Sequence, residues 1–366
     1  MLGQYFTTNV FLQKTVKDLI LNNPTKILEP SVGRGDLLTS IPIPYDAYEI
    51  DSTLDFVIPK ESIVFGDFLK QNITQKYTTI IGNPPFIQTK KGNVYLDFIK
   101  KCCDLLSDDG EIVFIVPSNF LKATKSGPVI STMLAKGHFT HVVFPNNESV
   151  FKDAAIDVMV FRYQKGVKSN TTIVNNTKMF LNFNTIVTFS NCVLKQGRVI
   201  SDLFDVYVGI VSGLDSVFEH HVFGNIDVLV DLDKTKRMIL IDTFPTPNAQ
   251  LNEYMMHNKP RLLCRKIRKF TDVNWFEWGA LRNARSIIKY FNEPCIYIKT
   301  MTRQPRVAFI GRIMYFGCTL LMLRPKTPSV DIQRVCDFLN SDEFKTNFVY
   351  SNRFKITHNQ IGSTIY

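Results

Sequence analysis

The stretch Ile-Ile-Gly-Asn-Pro-Pro-Phe-Ile-Gln at residues 80–88 holds two hydrogen-bond acceptors in a fixed relation. Ile80 and Ile81 read as the end of a buried strand, and the residues after them can neither extend it nor open a helix. Asn83 offers an amide oxygen. The Pro84 carbonyl cannot be tied into a ladder by the next residue, because Pro85 has no N–H. Phe86 adds a flat apolar face. Two acceptors converging beside an aromatic ring suit a planar group that carries an NH2. Such an amine is a poor nucleophile while its lone pair is delocalised. Acceptors on its hydrogens favour a tetrahedral nitrogen with a localised pair. With an electrophile that is already activated, the remaining task is positioning for in-line displacement, and no metal is expected.

Acids recur ahead of this turn. Glu29 and Asp36 flank a loop whose Gly33 and Gly35 allow close approach to the backbone. The loop has neither GxGxxG nor a Walker lysine-serine pair, and its carboxylates would repel a phosphate. They suit a ligand that is cationic here. S-adenosylmethionine fits, with an ammonium, a sulfonium and no phosphate. Glu49 closes the next strand, where an acid can bind ribose hydroxyls. Asp67, after a third strand, could accept from an adenine amino group. One acid at a strand end is commonly just solvated; the serial order is what points to a cofactor.

The elements that must position these groups alternate between strand and helix. Residues 9–23 have helical spacing through Val10, Leu12, Val16, Leu19 and Ile20, stopped at Asn22-Asn23-Pro24. "KIL" is a first strand, and "EPSVGRGDLL" reads as a turn opening a helix. "YDAYEID", "SIVFGD" and "YTTIIGN" are the next strands. "YLDFIKKCCDLL" is helical, with Leu96, Ile99, Cys103 and Leu106 on one face, and "GEIVFIVPSNF" is a fifth strand. This alternation predicts a parallel, doubly wound sheet with ligands beyond the carboxyl ends of its strands. "AIDVMVFRY" reads as an antiparallel strand finishing the sheet. The Asn- and Thr-rich stretch from about 166 reads either as a surface excursion or as a domain junction.

On these residues the chain resembles the amino-methyltransferases, and most closely the DNA N6-adenine methyltransferases of the gamma arrangement. The likeness covers residues 1–165. "GQYFTT" at 3–8 is similar to the family's first cofactor motif, which gives Thr7 to the methionine carboxylate; the family's usual next proline is Thr8 here. "LEPSVGRGDLL" is similar to the main cofactor loop, so the resemblance places Glu29, Pro30, Ser31, Gly33 and Gly35 at the cofactor, with Glu29 on its methionine part. It further gives Glu49 to the ribose, Ile50 and Phe68 to the adenine faces and Asp67 to the adenine amine. "NPPF" matches the catalytic motif of Asn83, Pro84, Pro85 and Phe86, with Asn83 also beside the cofactor. "SVFKDAAIDVMVFRY" at 149–163 resembles a later motif, in which Phe151 packs on the face of a flipped base opposite Phe86.

The implied architecture is α/β. A Rossmann-like doubly wound methyltransferase sheet at 1–195 is followed by a C-terminal mixed α/β target recognition domain at 196–366. "VYVGIVSGLDSVF" at 206–218 is similar to the opening of that domain in related enzymes, and its glycines read as a loop that could lie close to a DNA backbone. Charge supports the division. Residues 1–195 carry 20 Lys and Arg against 17 Asp and Glu, whereas 196–366 carry 23 against 16 and thirteen of the fifteen arginines. Arginine forks match phosphates and the guanine edge. "KPRLLCRKIRKF" (259–270), Arg282, Arg285, Arg303 and Arg306, with Trp275, Trp278 and Tyr297 nearby, form a candidate duplex-facing surface. The implied partner is double-stranded DNA, and a cognate restriction endonuclease of the same system is compatible with the resemblance.

The NPP turn also serves methyltransferases acting on a protein glutamine amide or the guanine amine of ribosomal RNA. A non-enzymatic DNA-binding module with a dead cofactor pocket is the third reading, and the intact Asn83, Pro84, Pro85, Glu49 and Asp67 argue against it. No run of about 18 apolar residues marks a membrane span, and the start of the chain lacks a secretory pattern. The expected location is the cytoplasm, or the host cell interior for a viral protein. The seven scattered cysteines read as reduced, buried thiols. A monomer is expected, since one catalytic domain and one clamp suffice.

Overall fold

The computed structural model describes residues 5–89, 92–145, 151, 156–191 and 197–366. Two compact units divide the chain. The first is Met1–Gln196 with Tyr350–Asn352 and Ser363–Ile365; the second is Gly197–Val349, Arg353–Gly362 and Tyr366. The expected boundary at 195/196 falls in 192–196, outside the described residues. No helix among the described residues is long and apolar enough to cross a membrane.

The first unit opens with α1 (Val10–Asp18), capped by the Asn9 side chain accepting from the Leu12 amide at 3.2 Å. It is shorter than its spacing predicts. The amides of Leu21 and Asn22 leave the helix to donate to the Glu111 carboxylate at 3.2 and 3.0 Å. Strands follow as β1 (Ile27–Glu29), β2 (Tyr45–Glu49), β3 (Ile63–Phe65) and β4 (Tyr77–Gly82). After α2 (Val94–Leu105) comes β5 (Leu106–Pro117), then α3 (Gly127–Lys136), β6 (Gly137–Val143), β7 (Val158–Lys165), β8 (Thr171–Val174), β9 (Thr177–Asn184) and β10 (Ile186–Ser190).

All ten strands form one sheet in the order β10-β9-β8-β6-β7-β5-β4-β1-β2-β3. Strands β3, β2, β1, β4 and β5 are mutually parallel, so their carboxyl ends share one edge. Strand β7 runs antiparallel to both β5 and β6. Side chains alternate across this sheet. Leu28, Ile80, Ile112 and Phe114 pack with Ile99 and Cys102 of α2 and with Ile130 and Met133 of α3. Ile27, Ile81, Val113 and Ile115 pack with Leu12 and Val16 of α1. This is a doubly wound, Rossmann-like α/β fold.

Four expectations need correction. No α-helix follows the loop after β1; Leu38–Ser40 makes one 3₁₀ turn, because Pro42 and Pro44 bar its continuation. The buried face of α2 is Tyr95, Leu96, Phe98, Ile99, Cys102 and Leu105, while Leu106 already belongs to β5. Strand β7 does not finish the sheet, since β6 pairs beyond it and β8, β9 and β10 extend the sheet further. The Asn- and Thr-rich stretch supplies those last strands. The thiols are also not all buried: Cys102 and Cys295 are, but Cys264 and Cys318 are exposed.

In the second unit, β11 (Phe204–Val208), β14 (Pro294–Lys299), β15 (Ala308–Arg312) and β16 (Leu320–Pro325) form an antiparallel sheet in the order β11-β16-β14-β15. A separate hairpin joins β12 (Ile226–Asp231) to β13 (Lys234–Met238). Helices α4 (Ala249–Leu263) and α5 (Ile332–Asn340) complete a mixed α/β unit.

Candidate active site

Four parallel strands end at one edge, and each delivers a candidate residue there. Beyond β1, Gly33 and Gly35 take φ of 56° and 94°. A Cβ on Gly35 would lie 2.6 Å from Ile58, so only glycine fits this left-handed turn. Glu49, the last residue of β2, pins the loop. One carboxylate oxygen accepts from the Gly33 amide at 2.8 Å, and the other from the Ile50 and Asp51 amides, each at 2.9 Å. Asp67, beyond β3, accepts from the Leu69 amide at 3.0 Å and caps a 3₁₀ turn.

These ends enclose a cavity of about 320 Å³. Its wall includes Pro30, Ser31, Gly33, Glu49, Ile50, Asp67 and Phe68 from the expected cofactor set, and Asn83, Pro84 and Pro85 from the turn after β4. Ile50 is 57% exposed and forms an open apolar wall. Phe68 is buried, stacked on Phe98 with centroids 5.5 Å apart and with the Lys101 ammonium 4.6 Å from its centroid. Thr7, Glu29, Gly35, Phe86 and Phe151 lie outside that wall.

Electrostatics distinguish the layer behind the wall. Glu29 is buried among carboxylates: burial first, then Glu49 and Asp36, push its carboxyl well above the usual range. Buried polar atoms without a hydrogen-bond partner include Glu29 Oε2, Ser31 Oγ, Asp36 Oδ2 and Asn83 Oδ1. Buried polar groups are ordinarily paired; of these residues Ser31 and Asn83 line the cavity, while Asp36 lies 3.7 Å from the Arg34 guanidinium.

At the β4 end, the Asn83 Nδ2 donates to the Tyr5 carbonyl at 2.8 Å and the Thr7 hydroxyl at 3.1 Å. Its oxygen is buried and has no hydrogen-bond partner, and the residue lines the cavity. Thr7, expected at a cofactor carboxylate, is buried, with its hydroxyl at Asn83. The Phe86 and Phe151 rings stand 6.4 Å apart at 73°, and the Tyr5 ring packs 5.5 Å from each. Phe151 is only 4% exposed. Sequence reading passed over Tyr5, although its place in "QYFTT" ahead of Thr7 was the available signal. Of the motif at 149–163, residues 149–150 and 152–155 lie outside the described residues.

The basic half is less available than its composition suggests. Arg265 is buried, donates to the carbonyls of Leu262, Ser212, Glu277 and Trp275, and stacks 3.7 Å from the Phe270 centroid. Burial lowers its pKa to about 10, with Arg268 adding to the effect. Trp275, Trp278 and Tyr297 are core residues, not part of a duplex-facing surface. Gly209 is explained internally, since a Cβ there would lie 2.1 Å from the Gly317 carbonyl oxygen. Lys266, Arg268, Lys269, Arg285, Arg303 and Arg306 remain exposed.

Residues 54–151 match the family described as Eco57I restriction-modification methylase. The Type II methyltransferase M.HincII of Haemophilus influenzae is 26% identical over 201 residues, covering 48% of this chain and 39% of that protein. The chain thus spans about two-fifths of that relative's length. The ribosomal RNA small subunit methyltransferase A of Mycoplasma pneumoniae is 32% identical over 99 residues, 23% of this chain and 38% of that one. Among solved structures, the M protein of the Type I restriction enzyme EcoKI aligns with a TM-score of 0.37 at 16% identity, over 45% of this chain and 44% of that one.

Proposed function

We propose that the chain is a site-specific DNA adenine-N6 methyltransferase, moving a methyl group from S-adenosyl-L-methionine to an adenine flipped out of duplex DNA. One observation carries this reading. Asn83 Oδ1 is buried and unpartnered on the wall of a cavity that Glu49 and Asp67 also line. The acids Glu49 and Asp67 on the wall, with Glu29 behind it, fit an ammonium and a sulfonium, the Gly33 loop fits a close-lying ligand, and Ile50 and Phe68 fit an adenine. Bound there, the cofactor supplies an activated methyl group. Asn83 and the Pro84 carbonyl accept from the target amine, holding its lone pair toward that methyl.

A paired amine in a duplex cannot reach fixed acceptors, so the base must leave the stack at a cost of roughly a few kcal/mol. Phe86 and Phe151 stack on it, which supplies about 1–3 kcal/mol per base by analogy with single-strand binders. The packed trio of Tyr5, Phe86 and Phe151 has to open to admit it. The exposed cations of the second unit grip phosphates as a target recognition domain, and the protein works as a monomer. A cognate endonuclease of the same system is the further partner proposed, a reading that the restriction-modification likeness supports.

A second reading, methylation of structured RNA, draws on the short match to a ribosomal RNA methyltransferase. A protein glutamine amide shares the planar NH2. Incubation with labelled cofactor and duplex DNA, structured RNA or protein separates the three. Label in DNA is the expected outcome, and label confined to RNA or protein refutes the proposal.

A further inference from the structure

We propose that Tyr5 and Thr7 are positioning residues that aim the Asn83 amide oxygen at the target amine, and that Thr7 acts there rather than on the cofactor. The inference deepens the reading above and rests on it. A carboxamide can present either its oxygen or its NH2 to a substrate, and only the oxygen can accept from an amine. The Tyr5 carbonyl decides between them. A carbonyl accepts and never donates, so the edge of Asn83 lying 2.8 Å from it must be the NH2. The Thr7 hydroxyl takes the second hydrogen at 3.1 Å. With both N–H groups held, a flip would set two acceptor oxygens against each other; Oδ1 is left buried without a partner, on a residue of the cavity wall.

Thr7 is 5% exposed and outside the cavity wall, whereas Tyr5 and Phe6 are on it. The clamp is itself anchored. Gln13 of α1 donates from one nitrogen to the Thr7 carbonyl at 2.8 Å and to the Asp36 carbonyl of the glycine loop at 3.1 Å. One chain of hydrogen bonds therefore joins the loop after β1 to the turn after β4.

The test compares Thr7→Val with Thr7→Ser, using S-adenosylmethionine and duplex DNA free of methylated adenine. Thr7→Val keeps the shape and removes the acceptor. Its single-turnover methylation rate should fall about tenfold. Its affinity for the cofactor, read by calorimetry, and for DNA should stay within about twofold of the parent. Retained cofactor affinity also certifies that the variant is folded; should Thr7→Val not fold, Thr7→Ala removes the same hydroxyl at smaller volume. Thr7→Ser should restore the rate. A weakened cofactor affinity in Thr7→Val, tracking the lost rate, would overturn the inference in favour of a cofactor ligand. An unchanged rate overturns it too, while leaving the proposed function standing. A parent protein that methylates no adenine in DNA takes down both.

Discussion

In the proposed reaction Asn83 presents a neutral acceptor of one length at one point, and few side chains can. Replacing it by Ala removes that acceptor and leaves the Glu49-pinned loop intact. Methyl transfer should fall at least about a hundredfold, as when an oxyanion-hole donor is removed, with cofactor affinity nearly unchanged in calorimetry. Glu29 makes a different prediction. Its carboxyl sits well above its ordinary 4.5 because of burial and two neighbouring acids. A cationic ligand favours the ionised form, so binding should release a proton and tighten as pH rises through the raised pKa. Calorimetry in buffers of different ionisation enthalpy reads that proton, and Glu29→Gln should abolish it. The stability sign runs the other way. In the free protein the raised pKa stabilises the fold below the ordinary carboxylate pKa, and that contribution fades as pH climbs toward the raised value. Glu29→Gln should therefore melt above the parent at neutral pH.

Strand ends were legible in the sequence because a parallel sheet places ligands where strands stop; Glu29 and Glu49 close their strands, and Asp67 and Asn83 follow theirs within two residues. What was not legible depended on contacts far apart in the chain. The short α1 follows from Glu111 capturing the Leu21 and Asn22 amides some ninety residues away. Strand β6, "GHFTHVV", carries two histidines and no clean alternation, yet lies inside the sheet. The Tyr5 packing is invisible without the fold that brings the N-terminal segment to the β4 edge. Arg162 illustrates the same limit. Its guanidinium bonds buried Glu111 at 2.6 Å, with further bonds to Thr140 and Asn22, so it ties β7 to β5, β6 and the segment after α1. Arg162→Met strands a buried carboxylate. It should cost about 3–5 kcal/mol in urea unfolding, and a loss under about 1 kcal/mol would show that the pair behaves like a surface bridge.

For the whole molecule, composition located the excess of arginine but not its use. Arg265 and Arg324 are spent within the second unit, the latter stacked 3.6 Å from the Tyr290 centroid and paired with Glu293 and Asp205. Lys266, Lys269, Arg285 and Arg303 are exposed, and the proposed function assigns them to phosphate. Changing those four to Gln should flatten the slope of log affinity against log salt, by up to about 0.9 per lost phosphate contact. Far-ultraviolet circular dichroism should stay unchanged. An unaltered slope would move the DNA-binding surface elsewhere. The central claim is the chemistry at Asn83, and the identity of the methylated atom tests it most directly. Duplex DNA incubated with the protein and labelled S-adenosylmethionine, digested to nucleosides and separated, should carry its label as N6-methyladenine, and the Asn83→Ala protein should leave it almost unlabelled. Label on cytosine, or equal labelling by the Asn83→Ala protein, would contradict the account.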